Sequence, residues 1–242
     1  MKLVIVSDTH TYGPHMLHPV PDGDVLIHCG DLTFRGVQRE VRDELAWLST
    51  VGNFSHRIFI AGNHDFFFDT KFSPRYFRNW VLDPSMKPAQ MLEAFPNLTY
   101  LEDSGIEIHG VKFWGSPWTP AFYGWAFNLA ENQDDIDHGK PTAEETWAKI
   151  PDDTNVLITH GPPHGILDSN NNPFDPRKGF GCPRLYQRVC AVRPLVHAFG
   201  HIHGGGGGMY FNDLLTPYTR FINAAINTEE YHPVNAPMVV EI

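Results

Sequence analysis

Short apolar runs that stop abruptly at glycine or polar residues dominate the first quarter of the chain. Three of them predict buried β-strands, at residues 3–6, 24–31 and 56–65. Between the second and third runs, apolar residues recur at helical spacing among charges, which predicts an amphipathic helix over residues 36–51. Residues 24–63 therefore predict a strand–helix–strand unit of the size of a parallel βαβ crossover.

The second half of the chain continues to alternate strands and helices. Buried or closing strands are predicted at residues 155–163 and 194–201 and in the sequences RFINAAI and MVVEI. Helices are predicted over residues 141–150, where a threonine precedes acidic residues, and over residues 182–193.

The middle of the chain is less regular. Residues 98–116 alternate around turn residues, which predicts antiparallel hairpin strands. Residues 66–97 predict only short helices, because aromatic residues and prolines interrupt them. Since no repeat or linker divides the chain, we expect residues 1–242 to form a single α/β domain.

The composition excludes several classes of protein. The formal net charge is −10, so the molecule as a whole is not attracted to nucleic acid or anionic membranes. Three cysteines without a C-x-x-C pair argue against a disulfide scaffold or a structural zinc site. The opening residues are too short for a signal peptide and no apolar run reaches membrane length, so we expect a cytoplasmic protein.

Polar residues at the ends of the predicted strands carry the chemical signal. In chain order these ends are DTH, GD, GNHD, THG and GHIH, beginning at Asp8, Gly30, Gly62, Thr159 and Gly200. Each one alone has an ordinary structural explanation, such as a turn residue, a core histidine or a solvated strand. Because parallel strands present their carboxyl ends at one edge of a sheet, the five ends together predict one site.

The residue types at these ends suit two divalent metal ions. The candidate ligands are Asp8, His10, Asp31, Asn63, His160, His201 and His203. Asp31 is the candidate bridge, since it carries charge and offers two oxygens. His201 and His203 are two apart on a predicted strand, so they face the same side and serve one ion each. Oxygen and nitrogen ligands without thiolate favour manganese, the ion we expect, or iron, zinc, cobalt or nickel.

The order of these motifs resembles that of the calcineurin-like metallophosphoesterases, from Asp8 to His203. The sequences GDLTFRG, PWTP, NLTYLEDS, HGPP and FGHIH resemble more closely the metallophosphoesterase domain-containing subfamily. The resemblance implies a four-layer α-β-β-α sandwich of two mixed sheets. It also implies phosphodiesterase activity on cyclic nucleotides or small model diesters. Subfamily members often have Glu in place of Asp65, and some inactive members have glycine in place of His201.

The expected chemistry is hydrolysis of a small phosphodiester or nucleotide, in which a hydroxide bridging both ions attacks phosphorus. His64 has no evident coordination role, so it is the candidate catalytic residue that protonates the leaving group or stabilises the transition state. Asp65 or another nearby acid is its candidate orienting partner.

Two further segments are candidates for contact with substrate. Residues 116–128 carry five aromatic residues without helical or strand periodicity. Trp118 and Trp125 could form a wall on which a base stacks, or these rings could fill the core. Asn128 and Arg35 are the other candidate substrate-binding residues. Residues 204–208 are all glycine and are predicted to pass close to the metal cluster, where a Cβ would collide with ions or phosphate.

Other functions stay open at this stage. A phosphomonoesterase uses the same metals and cannot be separated by sequence. A nuclease needs a basic track for its polymer, and 18 Lys and Arg against 28 Asp and Glu disfavour polymeric nucleic acid. A non-catalytic scaffold is disfavoured because every predicted ligand is present. The oligomeric state is open.

Overall fold

Parallel strands form the first of two β-sheets. The computed structural model describes residues 1–71, 86–170, 179–212 and 215–242. The first sheet contains β1 (Lys2–Val6), β2 (Val25–His28), β3 (His56–Phe59), β4 (Leu98–Tyr100) and β11 (Met238–Glu241). Its strand order is β11-β1-β2-β3-β4, and β11 is the antiparallel member.

The second sheet is also mixed. It contains β5 (Ser104–Ile108), β6 (Val111–Ser116), β7 (Val156–Thr159), β8 (Val196–Phe199), β9 (Gly208–Asn212) and β10 (Thr216–Asn223). The order is β5-β6-β7-β8-β10-β9. The four inner strands run parallel, and the two edge strands are antiparallel to their neighbours.

Helices cover the outer faces of the sheets. The described α-helices are α1 (Gln38–Thr50), α2 (Pro88–Leu92), α3 (Gln133–Asp137), α4 (Ala143–Ala148) and α5 (Pro183–Val192). Short 3₁₀ turns lie at Gly13–His15 and His203–Gly205. None of the helices in the described ranges combines the length and the apolar character that a membrane span requires.

The side-chain alternation of β1 shows how the layers are held together. Leu3 and Ile5 belong to the core between the two sheets, which also contains residues of β7, β8 and β10. Val4 and Val6 point to the opposite face and join the core under the helices. Both faces of β1 are buried, as expected for a parallel strand covered on both sides. The predicted four-layer sandwich of two mixed sheets is therefore confirmed.

Most predicted elements form close to their predicted positions. The predicted helix over residues 36–51 is α1. The helix predicted over residues 141–150 is α4, and the hydroxyl of Thr142 caps it by accepting the N–H of Glu145.

Part of the prediction for residues 98–116 was wrong. β5 and β6 form the expected antiparallel hairpin, closed by His109 and Gly110 with positive φ. β4 belongs instead to the other sheet and runs parallel to β3, with Ile58 opposite Thr99. Alternation in the sequence could not reveal this, because the pattern does not specify the partner strand.

The carboxyl ends of the parallel strands in both sheets meet at one edge of the sandwich. An isolated parallel bridge between Ser7 and Ala225 joins the two sheets immediately before Asp8. The loops after β1, β2, β3, β7 and β8 therefore enter the same space. The candidate ligands are all in these loops.

Candidate metal centre

The chain turns sharply where the strands end, and several candidate ligands lie at the turns. The φ angles of Asp8, His10, Asp31 and His201 are 54°, 44°, 53° and 67°. This left-handed region is uncommon for residues other than glycine, although Asp and His enter it more readily than most. Such strain persists where the surrounding structure fixes it, and it concentrates at functional sites.

Glycines before three of the ligands allow close approach. A Cβ on Gly200 would collide with the Asp8 carboxylate and the Ser7 hydroxyl, and one on Gly62 would collide with the Asp31 carboxylate. Gly30 has a φ of 97°, and a Cβ on it would lie 2.7 Å from Nδ1 of His160. The glycines of the G-D, G-N and G-H motifs therefore give the carboxylates and imidazoles room to come together.

The prediction that His201 and His203 share one strand face was wrong. β8 ends at Phe199, before both histidines. His201 occupies a left-handed turn, and His203 begins the 3₁₀ turn that follows. The two imidazoles nevertheless reach different groups. Potential ligand atoms lie within 4.8 Å of one another in each of two groups: Asp8, His10 and His203, and Asp31, His160 and His201.

One oxygen of Asp31 lies between the two groups. Asp31 Oδ2 is 3.7 Å from His10 Nε2 and 3.4 Å from His160 Nε2. On one side, His203 Nε2 lies 3.4 Å from Asp8 Oδ1. On the other side, Asn63 Oδ1 lies 2.9 Å from His160 Nε2. The structure thus brings all seven candidate ligands to one buried place, with Asp31 in the position of a bridge.

The hydrogen bonds of the imidazoles show that this place suits cations. Nδ1 of His10 and Nδ1 of His203 each contact a backbone carbonyl, at 3.1 and 2.8 Å. A carbonyl only accepts, so each Nδ1 carries a proton and each Nε2 is left to face the other candidate ligands. The two Nε2 atoms are 3.3 Å apart. Ring nitrogens approach this closely when a proton or a metal ion lies between them, so the residues fit a metal site.

The second group also combines an imidazole with oxygen ligands. His160 Nδ1 lies 2.9 Å from the carbonyl oxygen of Cys29, which leaves Nε2 facing Asn63 Oδ1 and the Asp31 carboxylate. Nitrogen, amide oxygen and carboxylate oxygen are all ligands of borderline divalent ions. No cysteine thiolate contributes among the described residues. The donor set therefore fits manganese, iron, zinc, cobalt or nickel better than copper.

Buried negative charge dominates the electrostatics of the site. Burial lowers the pKa of His10 to about 4. Burial favours the neutral acid of Asp8, but the hydrogen bond and charge of His203 hold the pKa of Asp8 well below its ordinary value. Burial opposes the charged form of His160, yet the charge of Asp31 raises the pKa of His160 to about 9. The two carboxylates are ionised and attract positive charge.

Two buried residues support the ligands without joining them. Asp65 accepts hydrogen bonds from the backbone N–H groups of Leu32, Thr33 and Gly62, at 3.1, 2.9 and 2.8 Å. It therefore ties the Asp31 turn to the Asn63 turn. Asn227 donates to the carbonyl oxygens of Asp8 and Thr9, at 2.6 and 3.2 Å. Sequence reasoning missed Asn227, because its contacts lie more than 200 positions away.

His64 is held beside the two groups. Its backbone N–H donates to Asp31 Oδ1 at 2.8 Å, and its Nδ1 donates to the carbonyl oxygen of Phe34 at 2.8 Å. That carbonyl takes the orienting role predicted for Asp65 or another acid, since Asp65 is occupied by backbone groups. The Trp125 ring packs on the imidazole with centroids 4.2 Å apart. His64 Nε2 is thus the ring nitrogen left for a reactant.

A cavity of about 570 Å³ opens over the candidate ligands, and the predicted substrate residues differ in their relation to it. Trp125 lines it. Trp118 is 7% exposed, belongs to the hydrophobic core and donates to Asp103 at 3.2 Å. Asn128 is buried, and its side chain forms hydrogen bonds with the backbone of Phe122 and Tyr123 in the same loop. Arg35 is exposed and is not among the described residues that line the cavity.

The glycine run follows His203 directly and packs closely against neighbouring backbone. A Cβ on Gly205 would collide with the carbonyl of Leu167, and one on Gly206 would lie 2.7 Å from the carbonyl of Ala225. Gly207 has a φ of 71°, and Gly208 begins β9. Gly205 and Gly206 therefore permit close approach to neighbouring backbone, and collision of a Cβ in this run with ions or phosphate stays a prediction.

A buried cluster of carboxylates, an amide and imidazoles at the strand ends of this sandwich defines a protein of the metallophosphoesterase type. The profile of the calcineurin-like phosphoesterases matches residues 1–205. The chain belongs to this family of phosphoester hydrolases, which use divalent metal ions.

Individual relatives agree with this assignment. The chain is 38% identical over 251 residues to metallophosphoesterase domain-containing protein 1 of Homo sapiens, covering 100% of this chain and 71% of that protein. It is 36% identical over 231 residues to a UPF0046 protein of Caenorhabditis elegans, covering 93% and 69%. The crystal structure of phosphopantetheinyl hydrolase from Mycobacterium tuberculosis superposes with a TM-score of 0.56 at 16% identity, covering 95% and 90%, and shows the same fold.

Asp31→Ala removes the oxygen shared by the two groups, so we expect loss of tight metal binding at both positions. Elemental analysis of the purified, manganese-loaded chain measures this loss. Asp153→Ala is the matched control, because Asp153 is an exposed carboxylate paired with Lys112 far from the ligands. Two tightly held ions per chain in Asp31→Ala would contradict the bridging assignment.

Proposed function

We propose that this chain is a dinuclear-metal-dependent phosphodiesterase that hydrolyses small diesters such as cyclic nucleotides. The observation that most directly supports a diester substrate is the charge of the residues that line the cavity. Within the described part of the chain, the lining contains no lysine or arginine and includes the acid Glu229. A diester presents one negative charge and a monoester close to two at neutral pH. Because the described lining adds no lysine or arginine, it supports the diester, which needs less positive charge than the monoester.

Bound metal ions would supply positive charge at the floor of the cavity. Bound divalent ions, with manganese the proposed pair, lower the pKa of water and neutralise charge on a phosphoryl group. Asp8, His10 and His203 would hold one ion, and Asn63, His160 and His201 the other, with Asp31 shared. The backbone N–H of His64 donates to the second oxygen of Asp31 and so fixes the direction of its carboxylate.

His64 is proposed to protonate the leaving oxygen or to stabilise charge on it. Its Nδ1 is bonded to the Phe34 carbonyl, so the proton that it transfers is carried on Nε2. A ring nitrogen of His64 lies within 4.8 Å of ligand atoms of both His10 and Asp31. That closeness supports proton transfer from His64 to a phosphoryl group bound at the cluster.

Trp125 is proposed to hold the flat part of a nucleotide. It lines the cavity, stacks on Phe66 with centroids 5.5 Å apart, and is half-buried. The next residue, Ala126, donates its N–H to the carbonyl of Asn63 at 3.2 Å, which fixes the loop to a candidate ligand. A ring fixed in this way can stack with any base, so it favours nucleotides without selecting one.

The alternative functions receive less support. A phosphomonoesterase would use the same ligands, but the described cavity lining adds no lysine or arginine for the second negative charge of its substrate. A nuclease would require a basic track, which the described cavity wall does not provide. A scaffold would not need the close approach of the His10 and His203 Nε2 atoms. The proposed partner is therefore a small phosphodiester or nucleotide rather than a polymer.

The central test is an activity screen of the chelator-treated chain, reloaded separately with manganese, iron, zinc, cobalt or nickel. The substrates are bis(p-nitrophenyl) phosphate, p-nitrophenyl phosphate, and 2′,3′- and 3′,5′-cyclic nucleotides. We expect metal-dependent hydrolysis with a higher kcat/KM for diesters than for the monoester. A preference for the monoester would indicate a phosphomonoesterase, and absence of both metal and activity would indicate a scaffold.

His64→Ala should retain its metal content and lower turnover by roughly 10²–10⁴-fold, as loss of an acid–base residue does. The measurement needs a diester with a poor leaving group, because p-nitrophenolate hardly requires protonation. His138→Ala, at the exposed end of α3, serves as the control. Undiminished turnover on the poor leaving group would remove His64 from the mechanism.

Trp118→Ala and Trp125→Ala should behave differently, because one ring lies in the core and the other on the cavity. Trp125→Ala should raise KM for cyclic nucleotides, by a stacking loss of about 1–3 kcal/mol, and spare Tm. Trp118→Ala should lower Tm by leaving a cavity in the core. Equal kinetic losses on cyclic nucleotides and on a small alkyl diester in Trp125→Ala would argue against the stacking wall.

A further inference from the structure

A tight turn holds Tyr231 on the wall of the cavity in a strained backbone conformation. The φ angle of Tyr231 is 61°, in the left-handed region. Its N–H donates to the carbonyl of Thr228 at 2.9 Å, and Thr228 N–H donates to the carbonyl of His232 at 2.9 Å. A bulky residue stays in such a conformation only where its surroundings fix it. The turn therefore sets the position of the Tyr231 ring.

The same turn is coupled to the candidate ligands through one carbonyl oxygen. Thr228 accepts both the N–H of Tyr231 and the Nδ1–H of His203, the latter at 2.8 Å. The ring of Tyr231 stands edge-on to His10 and His203, with centroids 5.0 and 5.3 Å apart. Phe34 packs against its other side at 5.2 Å. Any reactant bound by His10 and His203 would lie beside this ring.

The hydroxyl of Tyr231 is an available donor. Tyr231 is half-buried and lines the cavity. Its hydroxyl makes no hydrogen bond to another residue of the described ranges. A phenol donates at neutral pH and, unlike the acid Glu229 on the same wall, adds no negative charge. The cavity thus contains a rigidly placed neutral donor next to the candidate metal centre.

Negative charge accumulates on the phosphoryl oxygens when a phosphodiester is attacked, and fixed donors there lower the barrier. The described wall supplies no lysine or arginine for this purpose. We propose that the Tyr231 hydroxyl donates a hydrogen bond to a non-bridging oxygen of the phosphoryl group. This assignment, which rests on the proposed phosphodiesterase function, makes Tyr231 a substrate-binding residue.

Tyr231→Phe tests the assignment, because it removes the hydroxyl and keeps the ring against His10, His203 and Phe34. Tyr218→Phe is the matched control, since Tyr218 is 81% exposed on β10. The metal-loaded variants are compared for kcat and KM on two diesters, bis(p-nitrophenyl) phosphate and methyl phenyl phosphate. Inhibition by orthovanadate, metal content and Tm are measured in parallel.

We expect kcat/KM of Tyr231→Phe to fall roughly 10- to 100-fold, the range for a hydrogen bond to a charged group. The factor should be similar for both diesters, because the phosphoryl oxygen is common to them and the leaving group is not. Orthovanadate should inhibit more weakly by a comparable factor. Metal content and Tm should match those of Tyr218→Phe.

Other results would overturn the assignment. Unchanged kcat/KM and unchanged orthovanadate inhibition would show that the hydroxyl touches no phosphoryl oxygen. A loss confined to methyl phenyl phosphate would place the hydroxyl on the leaving group. A loss that follows lower metal content would make Tyr231 a support for His10 and His203. If the unaltered chain hydrolyses neither diester, the proposed function fails, and weaker orthovanadate binding by Tyr231→Phe would still support the contact.

Discussion

Two ionised carboxylates buried where the sheets meet constrain the structure around them. Asp8 and Asp31 are almost inaccessible to solvent. Burying such charges costs several kcal/mol each unless hydrogen bonds and opposite charges compensate. The backbone N–H groups of His64 and His201 donate to them, and imidazoles supply the ion pairs. Bound divalent cations would add to this compensation, because the ring nitrogens and the carboxylates face one another.

The strain of the backbone follows from the same constraint. Asp8 and Asp31 can approach the imidazoles only if the chain leaves each strand through a left-handed turn. Gly62 and Gly200 remove the side chains that would occupy this space. The cores on both faces of β1 provide the stability that holds these turns in place. The rigid strands therefore set the positions from which the candidate ligands extend.

The sequence could predict much of this arrangement because parallel strands bring distant residues to one edge. It predicted that the candidate ligands at five strand ends come together, although β8 stops too early for His201 and His203 to share its face. It could not reveal Asn227 or Tyr231, whose relevance depends on contacts across the fold and on a turn of positive φ. The parallel pairing of β4 with β3 could not be predicted either, because alternation of apolar and polar residues does not specify the partner strand.

The aromatic loop shows why substrate choice was harder to predict than the ligands. Trp118 and Trp125 lie seven positions apart, yet an isolated bridge between Thr119 and Asn128 folds the loop back on itself. One ring therefore enters the core while the other faces the cavity. Without periodicity, the sequence cannot distinguish these two environments. Since the cavity walls are loops and the candidate ligands follow rigid strands, selectivity can change in this fold without displacing the candidate metal centre.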